Sequence, residues 1–275
     1  MNERNGMLRN GLFYRAWLPD APRGLVLVAH GLAEHIGRYE YLAGKLVAAG
    51  FAVYGVDHVG HGQSPGERCF VDTFDDYLDG IDALYAHARE QHALLPFALL
   101  GHSMGGLIAA SSALREPDRF SALVLSGPAV VPPSEPPALQ KFIARLLSKY
   151  APTQRVLALD AKAISRDADV VNDYQHDPLV YKGKITARLA SELFDAMGLL
   201  RDRAGDITTP VLLMHGSADR LTAPSGSELL HDRVTSTDKT LKIYDGLFHE
   251  IFNEPERDAV ITDLLVWLEA RHPLA

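Results

Sequence analysis

Short apolar runs alternate with longer segments of helical spacing along this chain, and that alternation leaves few folds open. Gly24–Ala29, Phe51–Val56, Phe97–Leu100, Ala122–Leu125 and Pro210–Met214 are the apolar runs, with Gly, His or Asp close behind each. Runs this short and this continuous read as strands buried on both faces. Between them, Tyr41–Ala49, Tyr77–His92, Met104–Arg115 and Glu256–Ala270 carry helical spacing. Strand and helix in turn predict an α/β fold: a mostly parallel central sheet flanked by helices, with functional groups gathered where strands end.

The chain has 275 residues, 47% of them hydrophobic and 23% charged, enough apolar material for one large α/β domain or a core with an inserted subdomain. Its 35 acidic against 27 basic residues give a net charge of −8, which argues against a nucleic-acid-binding surface. Cys69 is the only cysteine, so neither an intrachain disulfide nor a cysteine-based metal site is expected. The first residues lack the apolar core of a signal peptide, and no run reaches the ~18–20 apolar residues that span a bilayer. A soluble, cytoplasmic protein is the expectation.

The alternation breaks after Pro128, where prolines cluster at Pro132, Pro133, Pro136 and Pro137, and it resumes at Thr209. A structureless loop of about seventy residues would be improbable in a compact domain. Residues 130–206 are therefore expected to form an inserted, mainly helical cap over the strand ends, dividing a core of residues 1–129 and 207–275. Within residues 139–150 of the cap, Leu139, Phe142, Ile143, Leu146, Leu147 and Tyr150 form the apolar stripe of an amphipathic helix, while Lys141, Arg145 and Lys149 line another face. The stripe suits packing on the core, and stripe and cations together suit transient peripheral contact with a membrane.

Gly101-His102-Ser103-Met104-Gly105 follows a strand and opens a helix, the context in which G-x-S-x-G presents a serine nucleophile on a sharp turn. The Met104 amide would then lie at a helix N-terminus, suited to a developing oxyanion. A serine needs a base, and the base an orienting acid, in chain order serine, acid, histidine for this turn. Asp219 follows the resumed strand, and His249 follows the edge strand expected at Thr240–Tyr244. They are the expected acid and base. The Leu32 amide, after Gly31, would supply a second oxyanion donor. His30, His35, His58 and His61, with Glu34 and Asp57, match no compact metal motif, and no complete nucleotide fingerprint is present. Neither metal nor cofactor is expected.

His30-Gly31-Leu32-Ala33-Glu34-His35-Ile36-Gly37-Arg38-Tyr39, Asp57-His58-Val59-Gly60-His61-Gly62 and Gly101–Gly106, with Asn172–Leu179, His215–Leu221 and Lys242–Glu250, resemble the monoacylglycerol lipases of the α/β-hydrolase superfamily, particularly bacterial members. The resemblance implies Ser103, Asp219 and His249 as the triad, the Leu32 and Met104 amides as the oxyanion hole, and Glu34, Arg38, His102 and Tyr174 around the glycerol head. Glu34 and Arg38 can equally be read as an ion pair bracing the oxyanion loop. Cap residues would line a tunnel for the acyl chain. Thr222 stands where vertebrate relatives carry a cysteine, so thiol sensitivity is not implied. The expected reaction is serine-dependent hydrolysis of a monoacylglycerol to fatty acid and glycerol. A lysophospholipase or general carboxylesterase would use the same triad, and a catalytically silent lipid-binding module the same cavity.

Overall fold

The computed structural model describes residues 2–132 and 137–272. In chain order its strands are β1 (Asn2–Met7), β2 (Phe13–Leu18), β3 (Gly24–Ala29), β4 (Phe51–Val56), β5 (Phe97–His102), β6 (Ala122–Ser126), β7 (Arg155–Leu157), β8 (Ile185–Thr186), β9 (Val211–Gly216) and β10 (Lys239–Tyr244). Eight of them form one sheet in the order β1-β2-β4-β3-β5-β6-β9-β10, and β7 pairs with β8 separately. From β4 to β10 all neighbours are parallel; β1 and β2 join antiparallel.

The continuous apolar runs have their explanation in two cores, one on each face of the sheet. Along β3, Leu25, Leu27 and Ala29 enter one core while Val26 and Val28 enter the other. Helices α1 (Glu40–Ala48) and α8 (Arg257–Arg271) cover the second face; α2 (Asp75–Gln91) and α3 (Met104–Arg115) cover the first.

Between β6 and β9 the chain leaves the sheet to form α4 (Ala138–Tyr150), β7, α5 (Ala168–His176), β8 and α6 (Ala187–Arg203). Helix α7 (Pro224–Arg233) lies between β9 and β10. Residues 133–136 of the proline cluster lie outside the described residues, as do the side chains of Leu139, Lys141 and Phe142. On the rest of α4, Leu147 is half-buried, whereas Ile143, Leu146 and Tyr150 are exposed, so the stripe is only partly spent on packing. Arg145 is not a free cation: it pairs with Asp195 of α6 at 2.8 Å.

Two features depart from the sequence reading. The N-terminal hairpin of β1 and β2 was not expected, since Asn2–Met7 is largely polar and exposed and carries no apolar run. The mainly helical cap also contains β7 and β8, three and two residues long, too short to leave a pattern in the sequence. No described helix is long and apolar enough to cross a membrane.

Candidate active site

Ser103 forms the turn between β5 and α3 with φ 57° and ψ −119°, a backbone that side-chain-bearing residues rarely adopt. The flanking glycines make this turn possible. A Cβ on Gly101 would stand 2.0 Å from the Gly105 carbonyl oxygen, and one on Gly105 would stand 2.0 Å from that of Ala29. The turn thus packs backbone to backbone against β3, which brings the loop after β3 beside Ser103. A Cβ on Gly31 would lie 3.4 Å from Cβ of Ser103. Among the described residues no group hydrogen-bonds the Leu32 or Met104 amide, and Ala33 next to Leu32 has φ 68°.

Asp219, in the turn after β9, is the most heavily bonded carboxylate of the site. Its Oδ1 accepts from the amides of Leu221 and Thr222 at 2.8 and 3.1 Å. Its Oδ2 accepts from His249 Nδ1 at 2.7 Å and His215 Nε2 at 3.0 Å. The Thr222 hydroxyl lies 2.9 Å from the same oxygen and 3.0 Å from the Gly127 carbonyl, and donates to one at a time. Burial alone would raise the Asp219 pKa, but the charge of His249 and the donors on both imidazoles hold it well below the usual carboxylate range. A carboxylate can only accept, so His249 carries its proton on Nδ1 and leaves Nε2 as a base. His215 is fixed likewise, with Nδ1 accepting from Ser227 Oγ at 2.8 Å. Ser103 makes no side-chain hydrogen bond among the described residues, yet it and His249 line the same cavity.

That cavity, partly open to solvent, is walled chiefly by apolar side chains, including Leu157, Leu159, Ile185, Leu193, Phe194 and Met197. Leu157 and Leu159 are exposed, so they belong to its lip. Its polar lining includes Glu34, Glu250, His102 and Tyr174 around Ser103 and His249. Burial, then the neighbouring His249, push His102 down to about 4, so it is neutral near pH 7. Its Nδ1 lies 3.1 Å from the Ser126 carbonyl oxygen, and its ring lies 4.6 Å from that of His249.

The candidate head-group residues do not all stand alike. Glu34, His102 and Tyr174 line the cavity; Arg38 lies behind it, 4.7 Å over the Tyr174 ring, lining a smaller adjoining cavity. Arg38 meets Glu34 at 2.6 Å and grips both oxygens of Glu250 at 2.6 and 2.7 Å. Burial would raise Glu250, but Arg38 overrides it and holds the carboxyl at about 2. Glu34 also accepts from the Gly31 amide at 2.6 Å and the Tyr39 hydroxyl at 2.7 Å. Arg38 and Glu34 therefore tie the loop of the Leu32 amide to Glu250, the residue after His249. Sequence reading did not single out Glu250 or His215. Their partners lie far along the chain or in a turn, and only adjacency to the candidate base or acid hinted at them.

The histidines at 30, 35, 58 and 61 do not converge as ligands, and among the described residues no cluster of three or more His, Cys, Asp or Glu is placed to hold a metal ion. His30 and His58 pack at a tilt with ring centroids 4.2 Å apart, and burial pushes His58 down to about 3 and His61 to about 4. His35 instead donates from Nε2 to Asp177 at 2.8 Å.

The chain is similar to known hydrolases in sequence and in fold. Residues 20–256 match the hydrolase family described as serine aminopeptidase, S33. The chain is 44% identical to the monoacylglycerol lipase of Mycolicibacterium smegmatis, over 94% of this chain and 92% of that one. It is 37% identical to the human monoglyceride lipase, over 94% of this chain and 87% of that one. The crystal structure of the Paleococcus ferrophilus monoacylglycerol lipase superposes with a TM-score of 0.87 at 35% identity, covering 94% of this chain and 99% of the other.

Proposed function

Since the chain belongs to the serine aminopeptidase S33 family of α/β-hydrolases and, within it, to the monoacylglycerol lipases, we propose that it hydrolyses monoacylglycerols to fatty acid and glycerol through an acyl-enzyme on Ser103. The observation that carries the reading is a single cavity, apolar along most of its walls and polar only around Ser103 and His249. Such a cavity suits one acyl chain ending in a small hydroxylated head.

In this reading His249 Nε2 takes the Ser103 proton as Oγ attacks the ester carbonyl, then gives it to the departing glycerol oxygen. Asp219 keeps the imidazole in the required tautomer and stabilises its cationic form. The amides of Leu32 and Met104 receive the oxyanion, and water repeats the cycle on the acyl-enzyme. Glu34, His102 and Tyr174 form the polar end that meets the glycerol, with Arg38 supporting them from behind. Residues 130–206 act as a cap that supplies most of the apolar wall. On α4 the exposed Ile143, Leu146 and Tyr150, with Lys149 beside them, support transient contact with a lipid surface. Charge reversal at Lys141 and Lys149, leaving Arg145 on Asp195, is expected to weaken co-sedimentation with anionic vesicles; unchanged co-sedimentation would count against that contact.

A fluorophosphonate probe tests the chemistry, because covalent labelling requires an activated serine. Labelling on Ser103 in the wild type and none in Ser103→Ala is expected. A wild type that resists the probe while folded would favour a silent lipid-binding module.

A further inference from the structure

The cavity beside Ser103 is uneven in charge. The described residues that line it include two carboxylates, Glu34 and Glu250, and neither lysine nor arginine. Their one counterion is Arg38, and both of its terminal nitrogens are committed: Nη1 bonds Glu34 and Glu250, and Nη2 bonds the second oxygen of Glu250. Glu34 meets three donors, the Gly31 amide, the Tyr39 hydroxyl and Arg38. One cation between two carboxylates leaves a negative charge uncompensated at the polar end. His102 does not offset it, being neutral near pH 7.

We infer that Glu250 makes this end of the cavity selective for uncharged, hydroxylated head groups and against phosphorylated ones. A glycerol donates its hydroxyls to such a wall. A phosphate meets charge of its own sign, loses its hydration, and finds no cation free to receive it. This inference rests on the proposed hydrolysis of monoacylglycerols and names what that site rejects. Glu250 is the determinant because, among the described residues, its side chain bonds only Arg38 and, at 2.8 Å, the side-chain Nδ2 of Asn253, whereas Glu34 also holds the oxyanion loop. Glu250→Gln keeps the shape, removes the surplus charge and releases half of Arg38.

Non-hydrolysable ethers separate binding from turnover: 1-O-oleylglycerol, its 3-phosphate and its 3-sulfate, each measured as a competitive inhibitor of monooleoylglycerol hydrolysis. In the wild type the neutral ether is expected to bind roughly ten- to hundred-fold tighter than either anion, the scale of one uncompensated charge at this range in a protein of moderate dielectric. Glu250→Gln is expected to cut that ratio about ten-fold or more. An unchanged ratio in a folded variant would overturn the inference, because size alone would then explain rejection.

Should Glu250→Gln fail to fold, the wild type still decides. The phosphate gains its second charge near pH 6 while the sulfate's charge stays fixed. A ligand in the cavity faces Glu34, backed by Arg38, from the loop after β3, His102 from β5, Tyr174 from α5, and His249 and Glu250 after β10, with the buried Asp219 behind His249. Any titration among these acts on both anions, so the sulfate serves as the reference. Phosphate affinity is expected to fall relative to sulfate between pH 5.5 and pH 8; a constant ratio would overturn the inference. Failure of the parent reading shows separately, as a wild type that does not turn over monooleoylglycerol before any anion is added.

Discussion

Replacing Arg38 with methionine should be among the most damaging single changes outside the triad. The Arg38 side chain is 10% exposed, and the carboxylates it joins, Glu34 and Glu250, are 4% and 6% exposed. Methionine keeps most of the volume but leaves two nearby buried carboxylates without a cation, a defect that costs about 3–5 kcal/mol. The same pairing shows in Glu250, which burial would raise and which Arg38 holds below its ordinary value.

The pH dependence has a definite sign. A depressed carboxyl contributes stability that is fully present above about pH 4.5 and fades as pH falls toward 2. In Arg38→Met the Glu250 carboxyl is buried without its cation, its pKa moves up, and mild acid neutralises it. The gap between wild type and variant should therefore be widest near pH 7 and narrower at pH 5. Urea unfolding at both pH values measures it. A loss below about 1 kcal/mol at pH 7, or a gap that widens at pH 5, would refute the reasoning.

Further predictions follow from the same contacts. Asp219→Asn should retain the fold and lose about 10⁴-fold in kcat, since the amide no longer selects the right imidazole tautomer; steady-state kinetics on protein of unchanged circular dichroism checks it. His215→Phe removes a donor from Asp219 and leaves the buried Ser227 hydroxyl without its partner, so it should cost about 1–3 kcal/mol of stability and at least ten-fold in kcat. His215→Gln, which restores a donor, should recover much of both, and equal losses in the two variants would count against the contact. Gly105→Ala should yield little folded protein, because its Cβ would enter the Ala29 carbonyl. Burial pushes the Cys69 thiol up to about 12, so native protein should react slowly with aromatic disulfides and keep its activity meanwhile.

How much of this was legible in the sequence depends on where each signal lies. Strands buried on both faces announce themselves, and the runs at Gly24–Ala29 and Phe51–Val56 coincide with β3 and β4 to the residue. Met104–Arg115 coincides with α3, because the G-x-S-x-G turn sets its start. The hairpin of β1 and β2 left no such trace: β1 is polar and exposed, and its pairing is decided by the edge it joins. At the site, Asp219 and His249 could be read because each follows a strand, and the structure places them 2.7 Å apart. Arg38 shows the limit. Its partner Glu250 lies 212 residues away, so the sequence left head-group contact and structural ion pair equally open, while the structure commits both terminal nitrogens to carboxylates. His215 was hidden otherwise: its partner is close in sequence, but only the fold of the turn after β9 aims both imidazoles at one oxygen of Asp219.

The central claim is that one triad serves one head-group pocket, and matched substrates test both parts together. Purified protein would be assayed for kcat/KM on monooleoylglycerol, dioleoylglycerol, trioleoylglycerol, oleoyl lysophosphatidylcholine and methyl oleate, with Ser103→Ala as the blank. The account predicts the highest value for monooleoylglycerol, at least ten-fold above methyl oleate and lysophosphatidylcholine, and no turnover in the blank. Equal values for monooleoylglycerol and methyl oleate would leave the serine chemistry standing and contradict the pocket. Turnover that persists in Ser103→Ala would contradict the account at its root.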